Sequence, residues 1–197
     1  PYIVALYRPM SCKNLHSKPT IKTFYNKHLK TKPRNKNKKK QQETTPEKKI
    51  KLLELLTDIE DPVRKMDLLI TAKNFVCPSL FMAEELKRNG GKTWVYQFNR
   101  VRDDELAQKY GAFHGAELPY VFDTHDEWLP TNKTDKLLTK EIQSYWLSFA
   151  KTGDPNNDGA VVWPEYESSN DSTLVLDNEI YQRSHESSEI CKIMDLF

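Results

Sequence analysis

The first 42 residues of this 197-residue chain contain no aspartate and no glutamate. They hold ten lysines and two arginines, which leaves 18 basic against 28 acidic residues for positions 43–197. The modest net charge of +2 therefore conceals a basic arm joined to a mildly acidic body. No run of 18 apolar residues occurs, so no transmembrane segment is expected. The opening residues PYIVALYRPMSC lack a long apolar core and a small-residue cleavage site. They are not read as a signal peptide, and they fit the stump of something longer. No zinc-ligand spacing, phosphate-cradling glycine loop or dinucleotide fingerprint is present, so no metal and no cofactor is implied. The three cysteines, Cys12, Cys77 and Cys191, are an odd count that defines no disulfide framework by itself.

What is present divides into two parts. Residues 1–45 form the basic arm, with the low-complexity core NKHLKTKPRNKNKKKQQ at 26–42. So little apolar content does not offset the entropy of ordering, and the arm is expected to be disordered. Phe24 and Tyr25 lie outside the lysine run instead of interleaving with it, so base stacking has little support and no nucleic-acid partner is expected. Three readings stay open for the arm: a solvated tether, a polyanion-binding arm, and an intervening sequence retained in the reading frame.

Residues 46–197 have enough apolar content for a globular body. The stretch EKKIKLLELLTDI predicts a helix with Ile50, Leu53 and Leu56 on one face. Asp61-Pro62 reads as an N-cap with proline at the first helical position, opening a helix to about Asn74. Pro78 restarts a helix that Asn89-Gly90-Gly91 ends. TWVYQFN, residues 93–99, is short and rich in β-branched and aromatic residues, and predicts a buried strand. A loop is expected over 100–118. A helix over 134–151 would carry the stripe Leu137, Leu138, Ile142, Tyr145, Trp146 and Phe149. STLVLDN, residues 172–178, predicts a last strand, and the tail from Ser187 a final helical turn or two. This order suits the closing section of an α/β sheet.

His114 lies in GAFHGAELPYVF, 15 residues past the end of the predicted strand, in a loop flanked by glycines. A general base needs a reachable imidazole, and such a loop supplies one, although an isolated loop histidine is more often structural. GAFHGAELPYVF resembles the histidine motif of the type-B carboxylesterases, the cholinesterase family. IQSYWLSFAKTGDPN at 142–156 is similar to the signature that follows it there. FVCPSLFMAEEL at 75–86 resembles the Cys-Pro helix that precedes it, and Trp163-Pro164-x-Tyr166 and TLVLD continue the pattern. The resemblance covers about residues 50–195.

The resemblance implies the C-terminal part of an α/β-hydrolase fold, that is, its last sheet strands plus packing helices, preceded by the disordered basic arm. It implies a serine esterase acting on small-molecule carboxylic esters, with His114 as catalytic histidine and Glu117 as a buried residue bracing the loop. In that family the chain order is serine, acid, histidine. Here the only glycines four apart are Gly111 and Gly115, with Phe113 between them, so no G-x-S-x-G elbow exists. The oxyanion-hole glycine run and the acid are also absent. The partner implied is the missing N-terminal half of the catalytic domain, and the chain alone is expected to be inactive. The resemblance further implies a Cys77–Cys191 disulfide, with Cys12 left free, and a secreted or extracytoplasmic location whose signal sequence lies outside this chain. The sequons at Asn132 and Asn170 fit that location as glycosylation candidates. Two rival classes are a non-catalytic cholinesterase-like adhesion or scaffold protein and a basic-arm polyanion-binding protein.

Two further patterns are set aside. Asp154, Asn156, Asp158, Gly159 and Glu165 satisfy the EF-hand spacing, but Pro164 falls inside the loop and no exit helix follows. His125-Asp126 lies outside the motif and is expected to be a surface turn.

Overall fold

The computed structural model describes residues 2–8, 45–126, 130–184 and 188–194. Its elements are β1 (Tyr2–Arg8), α1 (Pro46–Leu55), α2 (Pro62–Thr71), a π-helical turn (Ala72–Val76) and α3 (Cys77–Arg88). These are followed by β2 (Lys92–Phe98), α4 (Glu105–Tyr110), α5 (Leu118–Phe122), α6 (Lys133–Thr152), β3 (Thr173–Leu176), β4 (Ile180–Arg183) and α7 (Ser188–Ile193). The sheet order is β1-β2-β3-β4. β2 and β3 are parallel, with Val95 opposite Thr173 and Phe98 opposite Leu176, whereas β1 and β4 add to the two sides antiparallel. β1 lies in the segment assigned above to the arm. The rest of that arm, Cys12 included, falls outside the described residues.

β2 is the centre of the molecule because its pleat serves two cores at once. Trp94, Tyr96 and Phe98 face the cluster formed with Tyr120, Leu138, Ile142, Tyr145 and Trp163. Val95 points the other way, into Cys77, Leu80, Ala83, Tyr166 and Cys191. Burial on both faces is why its middle, Trp94-Val95-Tyr96, is apolar and aromatic without alternation. Trp163, fully buried, locks the two halves of the crossover together: its indole N–H donates to the Val95 carbonyl at 2.9 Å.

The helix boundaries follow local chemistry. Asp61 Oδ1 accepts from Val63 N at 2.9 Å, with Pro62 at the first helical position. At α6 the Asn132 and Asp135 side chains form a reciprocal capping box, and Gly153 ends the helix in the left-handed region. α2, the π-helical turn and α3 form one uninterrupted stretch, Pro62–Arg88, where the sequence suggested a break at Pro78. By length and composition this stretch is long and apolar enough to cross a membrane, although it lacks an unbroken apolar run. Here its α3 part packs on β1 and β2 and carries core residues.

Two expectations about faces need correcting. In α1 the buried position is Leu52, with Leu56 buried just past its end, while Ile50 and Leu53 are more than half exposed. In α6 Leu137 is exposed and Asp135 and Thr139 are buried beside Leu138. Periodicity cannot separate adjacent stripes, because a helix offers neighbouring apolar faces and the sheet selects one of them. The expected loop over 100–118 contains α4 and the start of α5, and β4 was not anticipated.

Candidate active site

His114 sits between α4 and α5, on the loop that leaves the carboxyl end of β2. The backbone takes positive φ on both sides of it, +67° at Gly111 and +86° at Gly115, which glycine adopts without strain. Ala116 N donates to the Phe113 carbonyl and Leu118 N to the Gly115 carbonyl, each at 3.1 Å, so the loop is a closed turn. The imidazole is exposed, and its ring centroid lies 4.8 Å from that of Phe75 on the π-helical turn. Beside it, Phe113, Gly115, Leu118, Tyr110 and Phe98 line a largely apolar cavity of about 380 Å³.

Glu117 is buried, 7% exposed, and its Oε2 has no hydrogen-bond partner among the described residues. Burial first, and then the nearby Glu117 charge, push the Tyr96 phenol far above its ordinary value, so Tyr96 stays a neutral core residue.

A polar network that the sequence did not reveal fastens this loop to α6. Arg100 Nε donates to Asp135 Oδ1 at 2.8 Å, and the Tyr120 hydroxyl donates to the same oxygen at 2.7 Å. Arg102 Nε donates to the Tyr120 hydroxyl at 3.2 Å. Arg102 Nη2 lies 3.1 Å from His125 Nδ1, and His125 Nε2 lies 2.7 Å from Thr139 Oγ1. Guanidinium can only donate, so Nδ1 accepts and the Nε2 proton goes to Thr139, whose hydroxyl donates to the Asp135 carbonyl at 2.8 Å. His125 is thus a half-buried network residue held in one neutral tautomer, which corrects the surface turn expected of it. Asp126 beside it is exposed. Burial, and then the Arg102 charge, lower the His125 pKa below 6.5. Burial alone would raise the Asp135 carboxyl, but bonds from Arg100, Asn132 N and Tyr120 outweigh it and hold the group below the usual carboxylate range. The N-x-x-D capping pattern at Asn132 and Asp135 was the one sequence signal of this network. Its arginines carried none, because their partners lie far along the chain.

The remaining candidates fall away from His114. The Cys77 and Cys191 sulfurs are joined at 2.01 Å, the pairing that the resemblance implied. The Asn132 carboxamide caps α6, accepting from Asp135 N at 2.9 Å and donating to Asp103. Asn170 Oδ1 accepts from Ser172 N at 3.2 Å in a turn. In the EF-hand-like segment, Asp154 Oδ1 accepts from Asn156 N at 2.9 Å, and the Asn156 carboxamide brackets both backbone groups of Trp163. Glu165 pairs with Lys92 at 3.2 Å. Asn156, held by Asp154, thus serves the Trp163 anchor. Among the described residues no three His, Cys, Asp or Glu side chains converge as a metal site.

A family model described as the carboxylesterase family matches residues 6–193. The para-nitrobenzyl esterase of Bacillus subtilis is 40% identical over 101 residues, covering 49% of this chain and 20% of that protein. The acetylcholinesterase of Gallus gallus is 33% identical over 117 residues, covering 55% of this chain and 15% of that protein. A solved structure of a thermophilic PNB esterase superposes with a TM-score of 0.59 at 30% identity, covering 75% of this chain and 30% of that one. The chain therefore spans about a fifth or less of the length of these two curated relatives.

Proposed function

Because the chain belongs to the carboxylesterase family, we propose that it is the section of a serine esterase that supplies the general base, His114. The observation that carries this reading is the exposed imidazole on a closed loop past the carboxyl end of β2, held between two positive-φ glycines and beside an apolar cavity. That is where an α/β sheet places its catalytic groups. The substrate is a small-molecule carboxylic ester. The serine, the oxyanion donors and the acid come from the remaining portion of the fold, so the chain by itself is close to inactive.

In the completed site His114 takes the proton from the serine hydroxyl as its oxygen attacks the ester carbonyl. It returns that proton to the departing alkoxide, which leaves as the alcohol. The same imidazole then removes a proton from water, whose oxygen attacks the acyl-enzyme. The proton passes to the serine oxygen and the carboxylic acid is released. Glu117, buried three residues on, braces the loop and is not the triad acid. Residues 46–197 form the C-terminal part of the catalytic domain, and residues 1–45 are for the most part a tether. The disulfide supports a secreted or extracytoplasmic setting. There Asn170 is the better glycan acceptor, since the Asn132 carboxamide is committed to the α6 cap.

The experiment is to express the chain together with the upstream portion of the fold and to assay 4-nitrophenyl acetate. His114→Ala is expected to lower kcat by a factor on the order of 10⁵. Undiminished turnover in that variant overturns the reading.

A further inference from the structure

Arg102 is a buried cation, 6% exposed, that forms no ion pair among the described residues. Its Nε donates to the Tyr120 hydroxyl and its Nη2 to His125 Nδ1, while Nη1 has no hydrogen-bond partner among the described residues. The guanidinium carbon also lies 5.2 Å from the Tyr120 ring centroid. A phenol and a neutral imidazole are dipoles, and neither carries the countercharge that a buried ion ordinarily finds. Arg100 differs in this respect, since Asp135 and Asp103 lie against it.

Both arginines line the apolar cavity beside His114, together with Phe98, Leu106, Ala107, Phe113 and Leu118. The cavity of about 380 Å³ is roughly a dozen times the share of one liquid water, room for an acid of octanoate size. Two carboxylates also line it. Asp126 is exposed, and Asp104 turns Oδ1 to the Ala107 N–H at 3.0 Å while its buried Oδ2 is unpartnered. Their charges oppose an anion on their side of the cavity and favour the arginine side.

We propose that this cavity is a binding site for an apolar monocarboxylate, with the carboxylate on the Arg102 guanidinium and the hydrocarbon chain against Leu106, Phe113 and Leu118. Charge and shape point to this ligand together. A guanidinium offers donors only, and a carboxylate accepts from it with both oxygens while supplying the missing charge. An alcohol of the same length fills the apolar space but leaves the buried cation unpaired. The acid released by ester cleavage belongs to this ligand class. That link rests on the proposed function, whereas the site itself does not.

The test is calorimetric titration of the folded 197-residue chain with sodium octanoate, with 1-octanol and acetate as comparisons. Octanoate is expected to saturate at one molecule per chain, with octanol about tenfold weaker and acetate weaker still. Arg102→Gln should weaken octanoate about tenfold or more and leave octanol unchanged. Ala107→Trp fills the cavity from a half-buried position on α4, outside the Arg102 network, and should abolish both. His114→Ala should leave octanoate binding intact, which separates this site from the role of the base. Equal affinity for octanoate and octanol, or undiminished octanoate binding in Arg102→Gln or in Ala107→Trp, overturns the site. Octanoate bound by this chain but not by the enzyme completed with the upstream portion also overturns it, and assigns the countercharge to that portion.

Discussion

Arg100 and Asp135, 35 residues apart, form an ion pair with side chains only 3% and 1% exposed. It ties the exit of β2 to the first turn of α6, and so fixes the base of the loop that presents His114. Breaking such a pair from one side strands a buried charge. Asp135→Ala also removes the acceptor for Tyr120 and half of the α6 capping box. The expected loss is about 3–5 kcal/mol, read from the urea midpoint. A loss below about 1 kcal/mol would mean that the pair contributes little beyond a surface contact.

The His125 network predicts how stability depends on acid. The folded pKa of His125 is lowered below the unfolded value of 6.5, so the unfolded chain binds the proton more readily. The corresponding stability is fully present above pH 6.5 and is lost as pH falls from there through the folded pKa. Protonation would set an Nδ1–H against the Arg102 guanidinium, and the neighbouring Lys136 adds to the repulsion, while Asp123 and Asp135 oppose it. Denaturation midpoints measured between pH 7.5 and 5.5 should fall, and His125→Gln should flatten that slope. An equal slope in the variant would assign the effect to other groups.

The disulfide closes a loop with a sequence separation of 114 and joins α3 to α7. In the chain-entropy account, reduction costs about 4–5 kcal/mol. Urea unfolding with and without reductant should differ by that amount, and Cys191→Ser should match the reduced protein. Peptide mapping after thiol blocking should recover Cys77 and Cys191 as one linked species. Recovery of both as blocked thiols would refute the bond.

Gly115 adopts φ +86°, and an added Cβ would meet only Leu118 Cδ1 at an ordinary 3.6 Å. The penalty for Gly115→Ala is therefore one of backbone strain, about 1–2 kcal/mol, and not of collision. The denaturant midpoint should shift with an unchanged slope. A neutral substitution would show that the His114 turn relaxes into another conformation.

The extent to which the chain was legible differed by element. α6 was readable to within a residue at each end, because its apolar stripe, Leu137 apart, and its terminating glycine are local signals. β2 was readable because its β-branched and aromatic residues are buried on both faces of the sheet. α4, α5 and β4 were missed, since each is short and held by tertiary contacts more than by pattern. His125 was misjudged for the same reason: its partners Arg102 and Thr139 lie 23 and 14 residues away.

By itself, the sequence determined the longer helices and the strands at 93–99 and 172–178, the histidine motif and its family resemblance, and the absence of a serine elbow, because those are properties of residue type and spacing. Only the tertiary structure decided which face of each helix is buried, and that Phe75 meets His114. It also decided that two arginines, a tyrosine and an aspartate clamp the loop. Such contacts join residues far apart along the chain, and their energies depend on burial and geometry that no local pattern encodes.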